Sequence, residues 1–226
     1  MTNTINLSNY FNVSWMKRLA IIGSGDLGEQ IAYHALHDQH YEPIGFFDDF
    51  ADQGSIKYTL PILGKVDDVL TVYNEDRFDV LMIALGYRHF NLKESLFNRF
   101  EGKIPFGSIL HSSSYIDGSC KIGVGVFIYP GCTLDMNVEI GNNVVVNVGG
   151  VIAHDTSIGN HCFLSPAVKI AGFVKVGVKV SLGINSTVID NLEIVSGVRT
   201  GGGAVVTQSL LKPGLYVGVP AIFKKE

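Results

Sequence analysis

An aliphatic residue recurs at every sixth position from Leu110 to Val206, with no insertion or deletion in the spacing, and Thr200 is the single exception. A period of six fits neither an α-helix, with about 3.6 residues per turn, nor an isolated strand, with about two. A second set of small or branched residues follows four positions after members of the first: Cys120, Val126, Cys132, Val138, Val144, Gly150, Val168, Val174, Val180 and Ala204. Two inward positions in every six residues define a hexapeptide repeat.

This repeat predicts a parallel β-helix. Three hexads make one triangular coil, so the repeat gives roughly five coils that rise about 4.8 Å each. The alternative, a sandwich of short strands, has irregular turn spacing. The pattern resembles the left-handed hexapeptide β-helix of the acyltransferase superfamily. The left hand is implied by this resemblance, because parallel crossovers are otherwise right-handed.

Length and charge bound the organisation of the chain. A repeat that begins only near residue 110 of 226 favours two domains, which we place at 16–107 and 108–226, after an N-terminal extension at 1–15. A net charge of −4 argues against the basic surface that nucleic-acid binding requires. No apolar run reaches the roughly 18 residues of a membrane span, and the N-terminus lacks the layout of a signal peptide. We therefore expect neither nucleic acid nor a membrane as a partner.

The three cysteines, Cys120, Cys132 and Cys162, all belong to the small inward class of the repeat. We therefore expect them to pack in the core as free thiols. An odd number of cysteines without a disulfide role is typical of a reducing compartment, so we expect a cytoplasmic protein.

The N-terminal domain begins with a pattern of strand, glycine turn and helix. The strand is predicted at Arg18–Ile22 and the helix from about Leu27 to His37, with the motif GSGDLG between them. Glycines allow the backbone to approach a phosphate, and a helix N-terminus supplies free N–H groups for it. The candidate nucleotide-binding residues of this turn are Gly23, Ser24, Gly25, Asp26 and Gly28.

A second strand, Glu42–Phe47, ends in Asp48 and Asp49, where a Rossmann acidic residue meets a ribose hydroxyl. Only Asp79–Leu85 and a segment at Phe106–Leu110 are predicted as further strands before the repeat. This leaves room for one mononucleotide-binding half. Nucleotide-sugar binding is therefore favoured over an NAD-dependent oxidoreductase and over a purely structural domain.

Two further helices are predicted, at Val66–Tyr73 and Phe90–Phe100. Gly86 and Tyr87 follow the strand at Asp79–Leu85, at the edge where ligands bind in open α/β sheets. The second helix is expected to turn four apolar residues to the core: Leu92, Leu96, Phe97 and Phe100. Three histidines on or just after the first helix are expected to be solvated: His34, His37 and His40.

A histidine occupies a predicted corner of the β-helix, in the stretch GVIAHDTSIG at 150–159. An imidazole at His154 can act as a base, and the adjacent Asp155 can orient it. Gly172 follows 18 residues later, one whole coil above, where its N–H can stabilise an oxyanion. Zinc catalysis is not expected, because His111, His154 and His161 do not form a convincing triad.

The resemblance is most specific for the motifs GSGDLG, GFFDDF, IAHDTSIGNHCF, LGINSTVIDNLEI, TGGGAVV and VGVPA. Residues 17–221 resemble the nucleotide-sugar acetyltransferases of the bacillosamine and perosamine pathways and the sialic acid O-acetyltransferase group. The resemblance implies an acetyl-CoA-dependent homotrimer with active sites between neighbouring β-helices. It also implies a small N-terminal domain that binds the nucleotide, with acetyl-CoA as a co-substrate and no permanently bound cofactor.

The same resemblance assigns roles to individual residues. His154 matches the catalytic base, Asp155 its acidic neighbour and Gly172 the amide near the thioester carbonyl. Ile184 and Gly202 match positions that line the CoA arm. Asp48 and Asp49 match the pair that contacts the nucleotide. Leu27 and Phe163 replace histidines of the bacillosamine enzymes, and Phe163 joins Gly86 and Tyr87 as a candidate nucleotide-sugar contact.

We therefore expect an N-acetyltransferase that acts on the amino group of a nucleotide-linked 4-amino-deoxysugar in surface-glycan biosynthesis. The nearest alternative is a sugar or sialic acid O-acetyltransferase, because the same site serves an amine or a hydroxyl. An alternative of another class is a catalytically inactive regulatory protein that binds a nucleotide. The register of His154, Asp155 and Gly172 argues against the last of these.

Overall fold

The computed structural model describes residues 16–225. Its N-terminal part contains five strands, β1 (Arg18–Ile22), β2 (Glu42–Phe47), β3 (Ile56–Lys57), β4 (Leu60–Gly64) and β5 (Val80–Ile83). The helices are α1 (Asp26–His37), α2 (Val69–Asn74), which a short 3₁₀-helix at Val66–Asp68 precedes, and α3 (Phe90–Phe100). The strands form one sheet in the order β3-β4-β2-β1-β5. None of the helices in the described part of the chain is long and apolar enough to cross a membrane.

The bounds of β1, β2 and α3 agree with the sequence prediction, but the number of strands does not. Leu60–Gly64 was not predicted, and it pairs in parallel with β2. This strand was not predicted because it contains Pro61, and a proline within a short apolar run argues against a strand. The segment at Phe106–Leu110 contributes only a single bridge from Phe106 to Leu81 before the chain enters the repeat.

The repeat folds into a triangular prism with three faces. The first face contains β6 (Ile109–Leu110), β9 (Phe127–Ile128), β12 (Val145–Val146), β15 (Phe163–Leu164), β18 (Ser181–Leu182), β21 (Val198–Thr200), β23 (Gly214–Val217) and β24 (Ile222–Lys225). The second contains β7 (Tyr115–Ile116), β10 (Thr133–Leu134), β13 (Val151–Ile152), β16 (Lys169–Ile170), β19 (Thr187–Val188) and β22 (Val205–Val206). The third contains β8 (Lys121–Ile122), β11 (Glu139–Ile140), β14 (Ser157–Ile158), β17 (Lys175–Val176) and β20 (Glu193–Ile194).

Strands on each face pair in parallel with the strand one coil away, and only β23 and β24 pair antiparallel. Leu134, Ile152 and Ile170 are register partners, so residues 18 apart lie above one another. The predicted fold class is confirmed: an α/β N-terminal region of Rossmann-like type precedes an all-β left-handed parallel β-helix. The three cysteines are free, and Cys132 and Cys162 are buried in the prism core.

The outward-pointing residues of the first face are unlike those of the other faces. In the first five coils they are all buried, at Ile109, Phe127, Val145, Phe163 and Ser181, whereas Arg199 in the next coil is exposed. The corresponding positions of the third face are Lys121, Glu139, Ser157, Lys175 and Glu193, and none of them is buried. Burial of apolar area along these five coils fixes the N-terminal sheet and its helices against the first face.

Polar contacts at the margins of the first face position the N-terminal helices. Tyr129 donates a hydrogen bond of 2.7 Å from its hydroxyl to the side chain of Gln30 in α1. At the opposite margin, Lys179 pairs with Glu94 of α3 at 2.8 Å. These two contacts therefore fix the N-terminal helices at both margins of the first face.

The substitution Phe127→Ala tests this packing. Phe127 has no exposed area, and its ring lies 4.0 Å from the ring of Tyr129, centroid to centroid. We expect the free energy of unfolding, measured by urea denaturation, to fall by about 3 to 5 kcal/mol because a large cavity is left. Tyr115→Ala is the matched control, since Tyr115 occupies the same hexad position on the second face and is 59% exposed. Equal losses for the two variants would contradict the account.

Candidate active site

His154 lies in the turn between β13 and β14, at the edge between the second and third faces. Its Nδ1 is 3.0 Å from Oδ2 of Asp155. Asp155 has a left-handed backbone conformation with φ of 57°, which aspartate tolerates better than most residues. The side chain of His154 is 44% exposed, so the ring is accessible from solvent.

Asp155 is fixed by a second contact, from the coil below. Asn137 Nδ2 donates a hydrogen bond of 3.0 Å to Oδ1 of Asp155. Hydrogen bonds from His154 and then from Asn137 hold the pKa of Asp155 below its usual range. A carboxylate beside Nδ1 favours the tautomer that carries a proton there, which leaves Nε2 of His154 as the proton acceptor.

Gly172 lies directly above the imidazole, as the spacing of 18 residues predicts. A Cβ atom at this position would lie 2.7 Å from Cε1 and 2.9 Å from Nε2 of His154, so a side chain here would have to displace the imidazole. The Gly172 carbonyl accepts a hydrogen bond from the Asn191 N–H at 3.1 Å. Its own N–H makes no hydrogen bond to any residue in 16–225, which leaves a backbone donor beside a base.

Two residues of this edge were not identified from the sequence, Asn137 and Phe173. The Phe173 ring packs edge-on against the His154 ring, with 5.1 Å between centroids, and the side chain is 53% exposed. Both residues lie 18 positions from Asp155, so the coil period was the signal that could have found them.

The two predicted CoA-arm residues lie at a different edge, between the first and second faces. Ile184 is 58% exposed, and a Cβ atom on Gly202 would lie 3.0 Å from its Cγ2 atom. The structure therefore brings Ile184 and Gly202 together but separates this pair from His154 and Gly172 by the width of the second face.

Of the predicted sugar contacts, Gly86 and Tyr87 are in the loop after β5, and Phe163 lies on the first face of the prism, opposite the edge that carries His154. The rings of Tyr87 and Phe163 are 5.4 Å apart between centroids. Phe163 is 9% exposed and Tyr87 is 45% exposed, so the tyrosine is the member of the pair that a ligand can reach.

The glycine turn has the geometry that its sequence predicts, except that the helix begins one residue earlier than expected. Helix α1 begins at Asp26, and Gly25 is its N-cap. Gly28 packs so closely on the Gly23 carbonyl that a Cβ atom would overlap it. The turn therefore needs glycine at 28 for packing against the strand end, and Ser24 beside it is buried.

The side chains of Asp48 and Asp49 both accept hydrogen bonds from backbone N–H groups of the N-terminal domain. Asp48 accepts hydrogen bonds from the Ser24 N–H at 2.9 Å and hydroxyl at 2.6 Å, and from the Phe50 N–H at 2.9 Å. Burial raises the pKa of Asp48, but these hydrogen bonds outweigh it and hold the pKa below its usual range. Asp49 accepts a hydrogen bond from the Val66 N–H at 2.9 Å.

A cleft of about 510 Å³ opens beside Ser24 and Asp48 and includes Phe50, which is 99% exposed.

Two of the histidines that were expected to be solvated are only partly exposed. The His34 ring packs against the rings of His111 and Tyr129 at 5.2 and 5.6 Å between centroids. His40 is also partly buried and lies 2.7 Å from Asp38. Each of the histidines His111, His154 and His161 lies in a turn between strands of two different faces. The three turns are at three different edges of the prism, so the histidines do not converge on one point.

A lysine that was not predicted lies buried between α3 and the prism. Lys93 has no exposed area, and its Nζ has no hydrogen-bond partner among the described residues. Burial lowers the pKa of Lys93 to about 7. Leu92, expected in the core, is instead 50% exposed, because the buried stripe of α3 runs through Lys93, Leu96, Phe97 and Phe100.

Comparison with known proteins adds to this geometry. Residues 18–100 match the PglD N-terminal domain model. A mutant perosamine N-acetyltransferase from Caulobacter crescentus, in complex with CoA and GDP-perosamine, is 27% identical with a TM-score of 0.83, over 92% of this chain and 97% of that one. The family match covers the N-terminal domain, and the likeness to the perosamine enzyme extends over nearly the whole chain.

Two other structures share the fold at 22% identity. The acetyltransferase domain of PglB from Neisseria gonorrhoeae FA1090 has a TM-score of 0.85, over 92% of this chain and all of that one. WeeI from Acinetobacter baumannii AYE has a TM-score of 0.78, over 91% and 99% of the two chains. A probable UDP-3-O-acylglucosamine N-acyltransferase 2 from Arabidopsis thaliana is 41% identical over 61 residues, which are 27% of this chain and only 20% of that relative.

The buried amine of this PglD-type domain gives a testable pH dependence. Because the pKa of Lys93 is depressed in the folded state, the cost of the buried charge is absent above the unfolded pKa and grows as pH falls towards 7. Between pH 8.5 and pH 7, the wild type should lose roughly 1.5 kcal/mol of unfolding free energy relative to Lys93→Met, measured by urea denaturation. Lys175→Met, at an exposed position, should follow the wild type. Parallel pH profiles for the wild type and Lys93→Met would refute the assignment.

Proposed function

We propose that this chain is an acetyl-CoA-dependent N-acetyltransferase acting on the amino group of a nucleotide-linked 4-amino-deoxysugar. The observation that carries the proposal is Gly172 stacked on His154, whose other ring nitrogen lies 3.0 Å from Asp155. A PglD N-terminal domain on the same chain and the likeness to perosamine N-acetyltransferase support it.

We assign the two activities to two domains. Residues 16–107 bind the nucleotide at the carboxyl edge of their sheet, where the glycine turn, Asp48 and Tyr87 lie close together. Residues 108–226 form the acetyl-transfer domain and bind acetyl-CoA along Gly172, Ile184 and Gly202. The exposed ring of Phe50 beside Asp48 suits stacking on a base.

The chemistry follows from the position of Nε2. As the sugar nitrogen attacks the thioester carbon, Nε2 of His154 accepts a proton from that nitrogen, and the carbonyl oxygen becomes an oxyanion. The free N–H of Gly172 donates to this oxyanion. The C–S bond then breaks and the imidazolium returns its proton to the sulfur. Asp155 stabilises the imidazolium during the interval.

We also propose that the working form is a homotrimer with each site shared between two chains. The nucleotide domain covers the first face, whereas His154 is at the opposite edge, so an acceptor bound to one chain lies far from the histidine of that chain. A neighbouring prism can bring its His154 edge next to the edge that holds Ile184 and Gly202. None of the three clefts found among residues 16–225 includes His154, as expected for an outer edge of a convex prism.

His154→Ala should lower kcat by roughly two to four orders of magnitude, because a positioned acid and base is lost. Acetyl-CoA affinity should stay within about twofold, since most of its contacts lie elsewhere. The measurement is thiol release from acetyl-CoA with UDP-, TDP- and GDP-linked 4-amino-6-deoxysugars, and His37→Ala at an exposed position is the control. Retention of more than about a third of wild-type kcat would show that the base is another group.

Gly172→Ala should lower kcat by at least about tenfold with little change in stability. The added methyl group would lie 2.7 Å from Cε1 of His154 and must displace the ring from Asp155. Gly118→Ala is the matched control, because a Cβ atom at Gly118 meets nothing within 4 Å. If both alanine variants turn over at the wild-type rate in the same assay, Gly172 has no part in the site.

A further inference from the structure

A second and larger cleft lies on the first face, above Phe163, and has a volume of about 1170 Å³. One wall is the loop after β5 together with the start of α3, from Tyr87 to Leu92. The other wall is the upper part of the prism, at Ser181, Arg199 and the segment 212–215. None of the nucleotide or CoA residues predicted from the sequence lines it except Tyr87.

The charges in this cleft are all of one sign. Arg88, Lys179, Arg199 and Lys212 line it, and no aspartate or glutamate does, although the chain as a whole carries a net charge of −4. Glu94 offsets Lys179 at 2.8 Å. Arg88 and Arg199 are exposed, and neither forms a salt bridge with any residue in the described range. The N-terminus of α3, an 11-residue helix, adds its positive end to the same wall.

The cleft beside the glycine turn has the opposite character. Asp48 and Asp52 line it, and Lys57 is its single cationic side chain. Carboxylates accept hydrogen bonds from base N–H groups and ribose hydroxyls, but they repel phosphate. A nucleotide whose nucleoside lies there therefore needs cations for its phosphates elsewhere.

Both clefts lie at the carboxyl edge of the sheet. β1 lies between β2 and β5, and Ile22 pairs with Phe47 on one side and with Ile83 on the other. The loops after these strands carry Asp48, Ser24 and Tyr87 in that order. Adjacent strands are about 4.8 Å apart, so the ends of β2 and β5 are roughly 10 Å apart. Tyr87, in the loop after β5, is itself part of the wall of the cationic cleft.

We propose that the cationic cleft binds the diphosphate of the nucleotide-linked acceptor, with Arg88 and Arg199 as its principal contacts. This inference rests on the proposed function. Planar guanidinium groups bind phosphate oxygens through paired hydrogen bonds, which a solvated lysine does less well. The two arginines approach from opposite walls, one from the N-terminal domain and one from the prism. The diphosphate would thereby connect the two domains.

The test is calorimetric titration of the full-length protein with UDP, TDP and GDP, and separately with CoA and with the three nucleosides. The double variant Arg88→Gln and Arg199→Gln should weaken nucleoside diphosphate binding by about tenfold and reduce its salt dependence. Binding of the nucleosides and of CoA should be unchanged. Arg77→Gln, at an exposed position before β5, is the control for loss of a positive charge. Both target side chains are exposed, so the variants should fold normally.

Two results would overturn the inference while the proposed function stands. One is equal nucleoside diphosphate affinity in the wild type and the double variant. The other is a tenfold loss for CoA alone, which would assign the cleft to the acetyl donor. Absence of any nucleoside diphosphate binding by the wild type would overturn both the inference and the acceptor part of the proposed function.

Discussion

The structure depends on the register of parallel strands between successive coils of the prism. Because each hexad contributes one short strand and three hexads close a coil, residues 18 apart are held above one another by backbone hydrogen bonds. This constraint places Gly172 over His154 and Asn137 under Asp155. A single inserted residue between them would rotate one partner away from that edge. The candidate site is therefore a product of the repeat, although its residues are not themselves part of the hydrophobic pattern.

A second consequence of the register is the distribution of apolar residues on the outside of the prism. Phe127, Val145 and Phe163 are stacked on one face only and are all buried. They hold the N-terminal sheet there, with its carboxyl edge near Tyr87 and the cationic cleft. His154 is at the opposite edge of the prism. The loops that we propose bind the acceptor are therefore far from His154 of the same chain, and the proposed trimer would bring them next to His154 of a second copy.

Much of this could be predicted from the sequence because the determining signals are local or periodic. The hexad period, the strand Arg18–Ile22 and the glycine turn follow from short patterns. Leu60–Gly64 was missed because Pro61 argues against a strand, and only its pairing with β2 overrides this. Lys93 was missed because lysine is normally at the surface of a helix, and its burial depends on how α3 meets the prism. The position of Phe173 follows from the 18-residue spacing, but its ring contact with His154 depends on the left-handed backbone conformation of Phe173 itself, with φ of 59°.

The central claim is that each active site combines the nucleotide domain of one chain with His154 of another. The most direct test is to mix chains that carry His154→Ala with chains that carry Asp48→Ala, after each variant alone has been shown to have little activity. In mixed trimers, intact nucleotide domains of the first variant meet intact histidines of the second. Denaturing and refolding the mixture should therefore restore acetyl transfer to a substantial fraction of the wild-type rate. Activity that stays at the level of the separate variants, in verified mixed trimers, would contradict the shared site.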